Sequence, residues 1–420
     1  MTNLRMALIG CGGMGIRHLH GLAELDAACR IDPSVSGVDL VAVVDISRER
    51  AAACADQAEQ ILGSRPEVFA DMDTLLASEV VEAVDICTMT DHHFEIAAQA
   101  AACGMHLLIE KPVSISLAEA GRLAELARSA GVVLAVAENV RREPVNRLAL
   151  AVIEAGILGE IRYVEDVLFT GAADIQLTPW RHQRSSGGLL LDIGVHHADV
   201  LTYLCGPVAR ITGFLRLDET VRRAPSHSRV ASAHFYESFA ADLPDSVEAD
   251  AEDVVTAVLE FASGATGTWI NHQAAHGDSY ARKVIRGSEG SMHLPRDRSG
   301  RSLSVVTTQG PIDENQILKL LPDWRLVQLE AAVWGDDRQP RSTGGFEEID
   351  RKLVAIEIGD FAMAITEGRD PEIGPDEAIR AMAVVLGAAE SSVEGRSLEL
   401  SEVIHGGWTR YQDGAPGSRA

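Results

Sequence analysis

The sequence predicts an α/β protein with two dissimilar parts, and three observations lead to that prediction. An apolar run near the start of the chain breaks into a glycine-rich turn. Short apolar runs then alternate with helical stretches over about the first 140 residues, as is typical of a parallel sheet with helices on both faces. Beyond about residue 160, apolar runs follow one another with few helices between them, which indicates a large, open, mostly antiparallel sheet.

Apolar periodicity and flanking glycines and prolines define the individual elements. In the first part, strands are predicted at residues 5–9, 40–44, 83–87, 106–109 and 132–136. Helices are predicted between them at residues 47–62, 93–103 and 117–130. In the second part, strands are predicted at residues 161–169, 209–215, 254–261, 265–271 and 281–287. Helices there are predicted at residues 189–204, 350–367 and 375–394.

The change of pattern predicts a domain at residues 1–138, a second α/β domain at residues 139–404 and a loose C-terminal tail at residues 405–420. A polar, acidic stretch at residues 218–253 separates two predicted strands. A connection of this length is more often a functional lid than a plain linker, although disorder is the alternative.

Composition excludes several classes of function. With 37 basic and 62 acidic side chains, the net charge of −25 repels nucleic acids and anionic membranes, so we expect neither as a partner. We expect no membrane span, because no apolar run reaches the length of about 20 residues that a span needs. The six cysteines are scattered and form no C-x-x-C pair, which favours a reduced, cytoplasmic location and gives no zinc signature.

The glycine-rich turn has the pattern G-x-G-x-x-G, formed by Gly10, Gly12 and Gly15 with Gly13 and Met14 between them. The first glycine makes the tight turn, the second allows a pyrophosphate to approach the backbone, and the third allows close packing of helix on strand. The helix that follows offers free N–H groups to phosphates. The turn therefore predicts an N-terminal Rossmann dinucleotide-binding domain, although a glycine-rich turn that binds no nucleotide is the alternative.

Asp45 ends the second predicted strand. A carboxylate there accepts hydrogen bonds from ribose hydroxyls and repels a 2′-phosphate, which favours NAD over NADP as the cofactor. Arg48 nearby would soften that preference, and capping of the next helix is a compatible role for Asp45.

Two further groups of residues suggest acid–base chemistry. Lys111 follows a predicted strand and precedes a proline, so it is expected to point into the cleft and to hydrogen-bond a substrate hydroxyl. Asp192 and His196 are four residues apart and share one face of a predicted helix, where the carboxylate would orient the imidazole as a base. His197 points elsewhere and is expected to be structural. The pair D-x-x-x-H would also suit two metal ligands, but no third ligand stands out, so no metal is expected.

Together and in this order, these motifs resemble those of the Gfo/Idh/MocA oxidoreductases. Residues 88–93 resemble the T-P-x-x-x-H turn of that family, with Met89 in place of the proline. The likeness continues with a strand leading to Glu-Lys-Pro at residues 104–112 and an N-x-R-x-x-P element at residues 139–144. Next come a G-x-L-G-x-I segment at residues 153–161 and a W-R…G-G…D-x-G-x-H segment at residues 180–206. Closing helices at residues 350–400 complete the likeness. Residues 218–253 and 297–348 do not match.

The resemblance implies a Rossmann domain followed by an α/β domain with an open sheet, and a homodimer or homotetramer. It implies a catalytic set of Lys111, Asp192 and His196. It also implies that the nicotinamide cofactor contacts Thr88, His93, Glu110 and Lys111. The substrate would contact Lys111, Asp192 and His196 and, in the other matching segments, Arg141, Trp180 and Arg181.

Three functional hypotheses follow. The first is an NAD-dependent dehydrogenase that oxidises a ring hydroxyl of a sugar, glycoside or cyclitol, with Trp180 stacked on the sugar and Arg181 or His182 binding its hydroxyls. The second is a glycoside hydrolase that oxidises its substrate transiently, eliminates, adds water and reduces it back. Such an enzyme needs a further base, for which the candidates are Tyr163, Tyr236, His182 and His272. The third is a non-catalytic dinucleotide sensor, which the intact catalytic set disfavours.

Overall fold

The computed structural model describes residues 3–78, 80–171, 173–225, 235–236 and 243–414. It contains two large sheets, one parallel and one mixed, with helices packed on both. The predicted lid at residues 218–253 is described only in part, since residues 226–234 and 237–242 lie outside the described residues, as do residues 415–420 of the predicted tail.

The N-terminal sheet has six parallel strands in the order β3-β2-β1-β4-β5-β6, which is the Rossmann arrangement predicted from the glycine motif. Its strands are β1 (Leu4–Ile9), β2 (Val38–Val44), β3 (Glu67–Phe69), β4 (Ala83–Ile86), β5 (His106–Glu110) and β6 (Leu134–Ala137). The helices between them are α1 (Gly13–Ile31), α2 (Arg48–Leu62), α3 (Met72–Ser78), α4 (Thr90–Ala102) and α5 (Leu117–Ala130). The order in which successive strands are added to the sheet reverses between β1 and β4. The carboxyl ends of these two strands therefore form the expected binding crevice.

The second sheet has nine strands in the order β16-β15-β14-β13-β7-β12-β11-β8-β17, and only the β7–β12 pair is parallel among those described. Its strands are β7 (Ile161–Phe169), β8 (Val208–Arg216), β11 (Val254–Phe261), β12 (Thr266–His272), β13 (Tyr280–Gly287), β14 (Gly290–Leu294), β15 (Ser304–Thr307), β16 (Gly310–Ile312) and β17 (Leu398–Glu399). Two short strands, β9 (Val221–Arg223) and β10 (Ser246–Glu248), pair separately.

The helices of this part are α6 (Pro144–Glu154), α7 (Gly188–Cys205), α8 (Glu314–Leu320), α9 (Gln328–Trp334), α10 (Phe346–Glu367), α11 (Pro375–Glu394), α12 (Leu400–Ile404) and α13 (Arg410–Asp413). Helices α7 and α11 cover one face of the large sheet. On β8 and β11 the opposite face is open, and Phe214 and Val258 are 64% and 52% exposed there. An open apolar face is compatible with the predicted homo-oligomer, which stays a prediction.

Helix α10 crosses from the second part of the chain to the first. It packs along α1, and its apolar side chains share one buried core with β1 and α1. Gly21 of α1 permits this contact, because a Cβ there would lie 2.4 Å from a methyl carbon of Val354. Sequence order therefore places α10 in the second predicted domain, whereas its packing places it on the Rossmann domain.

Two expectations about the C-terminal part of the chain need correction. Residues 297–348, for which no element is predicted, form β15, β16, α8 and α9, elements too short to show a clear period. The predicted loose tail is docked as far as Asp413: the Tyr411 hydroxyl donates to Glu252 at 2.6 Å, and the side chain of Gln412 is hydrogen-bonded to Leu117 and Glu390. These long-range hydrogen bonds are not visible in local sequence pattern. None of the described helices combines the length and apolar character needed to cross a membrane.

The glycine turn generates a stability prediction. A Cβ on Gly15 would lie 2.0 Å from the carbonyl oxygen of Gly10, so Gly15→Ala should push α1 away from β1 and destabilise the protein by about 1–3 kcal/mol. Gly121→Ala in α5 is the matched control, because a Cβ there meets nothing within 4 Å and should be neutral or slightly stabilising. Thermal melting of both variants tests this, and equal melting temperatures would contradict it.

Candidate active site

The glycine turn has the backbone geometry that a dinucleotide cradle requires. Gly10 has a φ of +96°, which favours glycine, and it makes the turn out of β1. A Cβ on Gly12 would meet nothing within 4 Å, so space is open above this residue. No described side chain caps the first turn of α1, and its N–H groups are available to a phosphate. These residues fit the pyrophosphate of a dinucleotide.

Asp45 lies at the end of β2 and is tied to both neighbouring segments. Its Oδ2 accepts the N–H of Cys11 at 2.9 Å, and its Oδ1 accepts the N–H of Ser47 at 2.7 Å. The Arg50 guanidinium donates to Oδ1 at 3.2 Å. The cation beside Asp45 is therefore Arg50, whereas the sequence suggested Arg48. The carboxylate is fixed between the glycine turn and α2, where an adenosine ribose would lie.

A cleft of about 550 Å³ runs from Asp45 along the glycine turn. Gly12, Met14 and Thr88, from the first part of the chain, are among the residues that line it. Side chains from the second part of the chain line it as well. Those side chains are Thr178, Trp180, Arg181 and Tyr236. The cleft is thus built by both parts of the chain, as a cofactor that must meet a substrate requires.

Two residues predicted to contact the cofactor, His93 and Glu110, are buried instead. His93 is buried, and its ring nitrogens lie 3.0 and 3.2 Å from the carbonyl oxygens of Pro112 and Thr88, so it braces the loop. Glu110 is also buried; its Oε1 lies 3.0 Å from Nε2 of His18, and its Oε2 accepts the N–H of Lys111. Both residues position the loops that line the cleft. Neither of them lines the cleft, and Lys111, which is also predicted to contact the cofactor, is not among the lining residues either.

Lys111 and Asp192 form the centre of the candidate site. Nζ of Lys111 donates to Oδ1 and to the main-chain oxygen of Asp192, each at 2.8 Å. Oδ2 of the same carboxylate accepts Nε of Arg181 at 2.9 Å. Burial alone would raise the pKa of Asp192, but Lys111 and Arg181 outweigh it and hold this pKa well below its ordinary value. Asp192 is therefore an ionised anchor for two cations.

His196 has a different partner from the one predicted. Its Nδ1 lies 2.7 Å from Oε1 of Glu138, whereas Asp192 is engaged by Lys111 and Arg181. The expectation that Asp192 orients His196 is therefore wrong in this structure. The spacing of four residues does place both side chains on one face of α7, but Lys111 and Arg181 approach Asp192 from other elements.

The contacts of Glu138 fix the tautomer of His196. Burial alone would raise the pKa of Glu138. The positive charges of protonated His196 and of Lys111 outweigh burial and lower this pKa to about 2. The ionised Glu138 can only accept, so Nδ1 of neutral His196 carries the proton and Nε2 keeps a lone pair. Burial lowers the pKa of His196 and outweighs the opposing effect of Glu138. His196 is thus neutral near pH 7 and can take up a proton through Nε2.

The remaining predicted substrate residues have defined partners. Arg141 is buried and makes a two-point ion pair with Asp199, so its predicted contact with substrate has no support in its surroundings. The Arg181 guanidinium lies 4.4 Å from the centre of the Trp180 ring, over one ring face. The predicted structural role of His197 fits its buried contact with Asp166, at 2.9 Å.

Two polar residues near the site escaped sequence reasoning. Glu138 directly follows β6, so the rule that ligands bind at the carboxyl ends of parallel strands offered a signal for it. Arg298 donates to the side-chain oxygen of Asn139 and forms an ion pair with Asp350, and its charge lowers the pKa of His196. It lies in the region without recognisable motifs, so the sequence carried no signal for it.

Comparison with known proteins places this geometry in a family. Residues 4–138 match the family model described as "Oxidoreductase family, NAD-binding Rossmann fold", and residues 146–293 match the Gfo/Idh/MocA C-terminal domain. The myo-inositol 2-dehydrogenase of Thermotoga maritima is 26% identical over 96% of this chain and 100% of its own length. The levoglucosan dehydrogenase of Pseudarthrobacter phenanthrenivorans is 28% identical over 88% of this chain and 90% of its own.

A solved oxidoreductase domain protein from Kribbella flavida superimposes with a TM-score of 0.75. It is 25% identical, and the match covers 95% of this chain and all of that one. The likeness therefore extends through both sheets. With the Rossmann cradle, the mixed sheet and matches to both family models in place, the chain belongs to the Gfo/Idh/MocA family of NAD-binding oxidoreductases.

Proposed function

We propose that this protein is an NAD-dependent dehydrogenase that oxidises a ring hydroxyl of a sugar, glycoside or cyclitol. The observation that carries the proposal is a neutral, oriented His196 together with the Lys111–Asp192 ion pair, which Arg181 connects to the lining of the cofactor cleft. A base and a fixed cation are what the removal of an alcohol proton requires. The names of the two relatives, which act on a cyclitol and an anhydrosugar, support the substrate class.

In the proposed reaction, His196 is the general base. Its Nε2 accepts the proton of the substrate hydroxyl, and the ionised Glu138 stabilises the imidazolium through Nδ1. Glu138 is itself held by the N–H groups of Asn139 and Val140, so the base is fixed before substrate binds. NAD, when bound, supplies the hydride acceptor.

Lys111 stabilises the charge that develops on the substrate oxygen. Two of its three ammonium protons are directed to Asp192, and the third remains for the substrate. Because Asp192 holds Nζ in place, the lysine needs no reorganisation as the alkoxide forms. Arg181 fixes the second carboxylate oxygen and thereby the orientation of the whole group.

The redox-assisted glycoside hydrolase has no support among the relatives named above. Two of its four candidate bases also lie in unsuitable places: the Tyr163 hydroxyl bonds Thr268 within the sheet, and Nε2 of His182 accepts the N–H of Gln176. A reaction with excess NAD and a panel of free sugars, cyclitols and nitrophenyl glycosides tests the proposal. Accumulation of NADH is expected, and nitrophenolate release without lasting NADH would contradict it.

Lys111→Ala should lower kcat by about a hundredfold or more, since it removes a preorganised donor to the developing alkoxide. NADH binding should be retained, because Lys111 is not part of the glycine cradle. Lys319→Ala, which removes an exposed lysine on α8, is the control and should retain full turnover. Steady-state rates and NADH titrations check this, and near-normal turnover of Lys111→Ala would exclude the assigned role.

Glu138→Gln should move the acidic limb of the pH–rate profile to lower pH. The rate falls as His196 becomes protonated, and the Glu138 charge favours the protonated form, so its removal lowers the pKa of His196 further. We expect a shift of about one unit, together with a lower kcat, because the imidazolium formed in the reaction loses its counter-ion. A limb that stays in place or moves to higher pH would show that His196 is not the group that titrates.

Asp45→Ala should change the cofactor preference. The variant loses the acceptor for the ribose hydroxyls and the negative charge that repels a 2′-phosphate. The ratio of kcat/KM for NAD to that for NADP should fall about tenfold or more, as expected for loss of a charge-assisted hydrogen bond. An unchanged ratio would place the determinant of cofactor preference elsewhere.

A further inference from the structure

Two aromatic residues from the 218–253 insert lie against the first turns of α1. The Phe235 ring is 6.0 Å from the His20 ring, and the Arg17 guanidinium lies 5.9 Å from the centre of Phe235. Tyr236 is only 9% exposed and lines the cofactor cleft. Through Phe235 and Tyr236, the insert therefore reaches back to the Rossmann domain.

Gly13 and Tyr236 are complementary in shape. A Cβ on Gly13 would lie 2.6 to 2.8 Å from three ring carbons of Tyr236, closer than real Cβ atoms come. The missing side chain thus provides the space for the tyrosine ring. Gly13 belongs to the turn whose N–H groups would face a pyrophosphate, so Tyr236 stands at the edge of that site.

Tyr236 is also in contact with Arg181, which fixes the Asp192 carboxylate. The Arg181 guanidinium lies 5.7 Å from the centre of the Tyr236 ring, and the same guanidinium is bonded to Asp192. Arg181 is buried, carries its positive charge beside the phenol, and lines the cleft together with Tyr236. A phenol hydroxyl and a guanidinium on one wall are suited to an anionic ligand, since both can donate hydrogen bonds to phosphate oxygens.

We infer that Tyr236 is a cofactor-binding residue, supplied by the insert, that holds the pyrophosphate of NAD against the glycine turn. Its ring packs on Gly13, and its hydroxyl donates to the phosphates beside the N-terminus of α1. Contact with Arg181 makes the bound pyrophosphate and the Asp192 anchor parts of one connected group. The inference deepens the proposed function by naming a further cofactor contact, and it rests on NAD binding, not on the identity of the sugar.

Direct titration of NADH, without substrate, tests the assignment. Tyr236→Ala should raise the Kd for NADH about tenfold, and Tyr236→Phe, which keeps the ring and loses the hydroxyl, about threefold. Tyr280→Ala is the control: Tyr280 is 48% exposed on the large sheet, and its loss should leave the Kd unchanged. Thermal melting without NADH shows whether each variant is folded, and the Phe variant keeps the test valid if the Ala variant is not.

The outcomes separate the inference from the proposed function. An unchanged Kd in both Tyr236 variants would overturn the inference and leave the dehydrogenase intact. A lower Kd would overturn it too, since the ring would then compete with the cofactor for the cleft. Wild-type protein that binds NADH but oxidises no sugar would overturn only the substrate class, whereas wild-type protein that binds no NADH would overturn both.

Discussion

The ion pair between Lys111 and Asp192 is the interaction on which the candidate site depends. It joins the carboxyl end of β5 to helix α7, so it connects the Rossmann sheet to the second part of the chain. Asp192 is buried and also binds Arg181, and one carboxylate therefore faces two cations. Removal of a buried carboxylate of this kind leaves charges unpaired at a cost of about 3–5 kcal/mol, which makes the ion pair a constraint on structure as well as on chemistry.

A second buried cluster connects the cofactor helix to the same lysine. His18 of α1 is fully buried, with Nδ1 2.8 Å from Asp85 and Nε2 near Glu110 and Glu357. Burial alone would lower the pKa of His18, but the charge of Asp85 and the hydrogen bonds outweigh it and raise this pKa well above its ordinary value. Because Glu110 also accepts the N–H of Lys111, the positions of the glycine turn and of Lys111 depend on each other.

The local sequence was sufficient to predict those residues whose role depends on local backbone geometry. Gly10 needs a positive φ and Gly15 needs the absence of a Cβ, and both requirements are visible as glycines after an apolar run. Asp45 and Lys111 each follow a strand, so the strand pattern alone puts them at the carboxyl edge of the sheet. Helix periodicity correctly placed Asp192 and His196 on one face, but it could not tell which charges approach that face from elsewhere.

The sequence by itself determined the order of the elements, the cofactor cradle and the residue types of the candidate site, because each depends on neighbours a few positions away. Only the tertiary structure decided the partners: Glu138 for His196, Arg181 for Asp192 and Tyr236 for Gly13. These contacts join residues 11 to 223 positions apart and are selected by packing and by the cost of leaving a buried charge unpaired. A rule based on local spacing cannot make that selection.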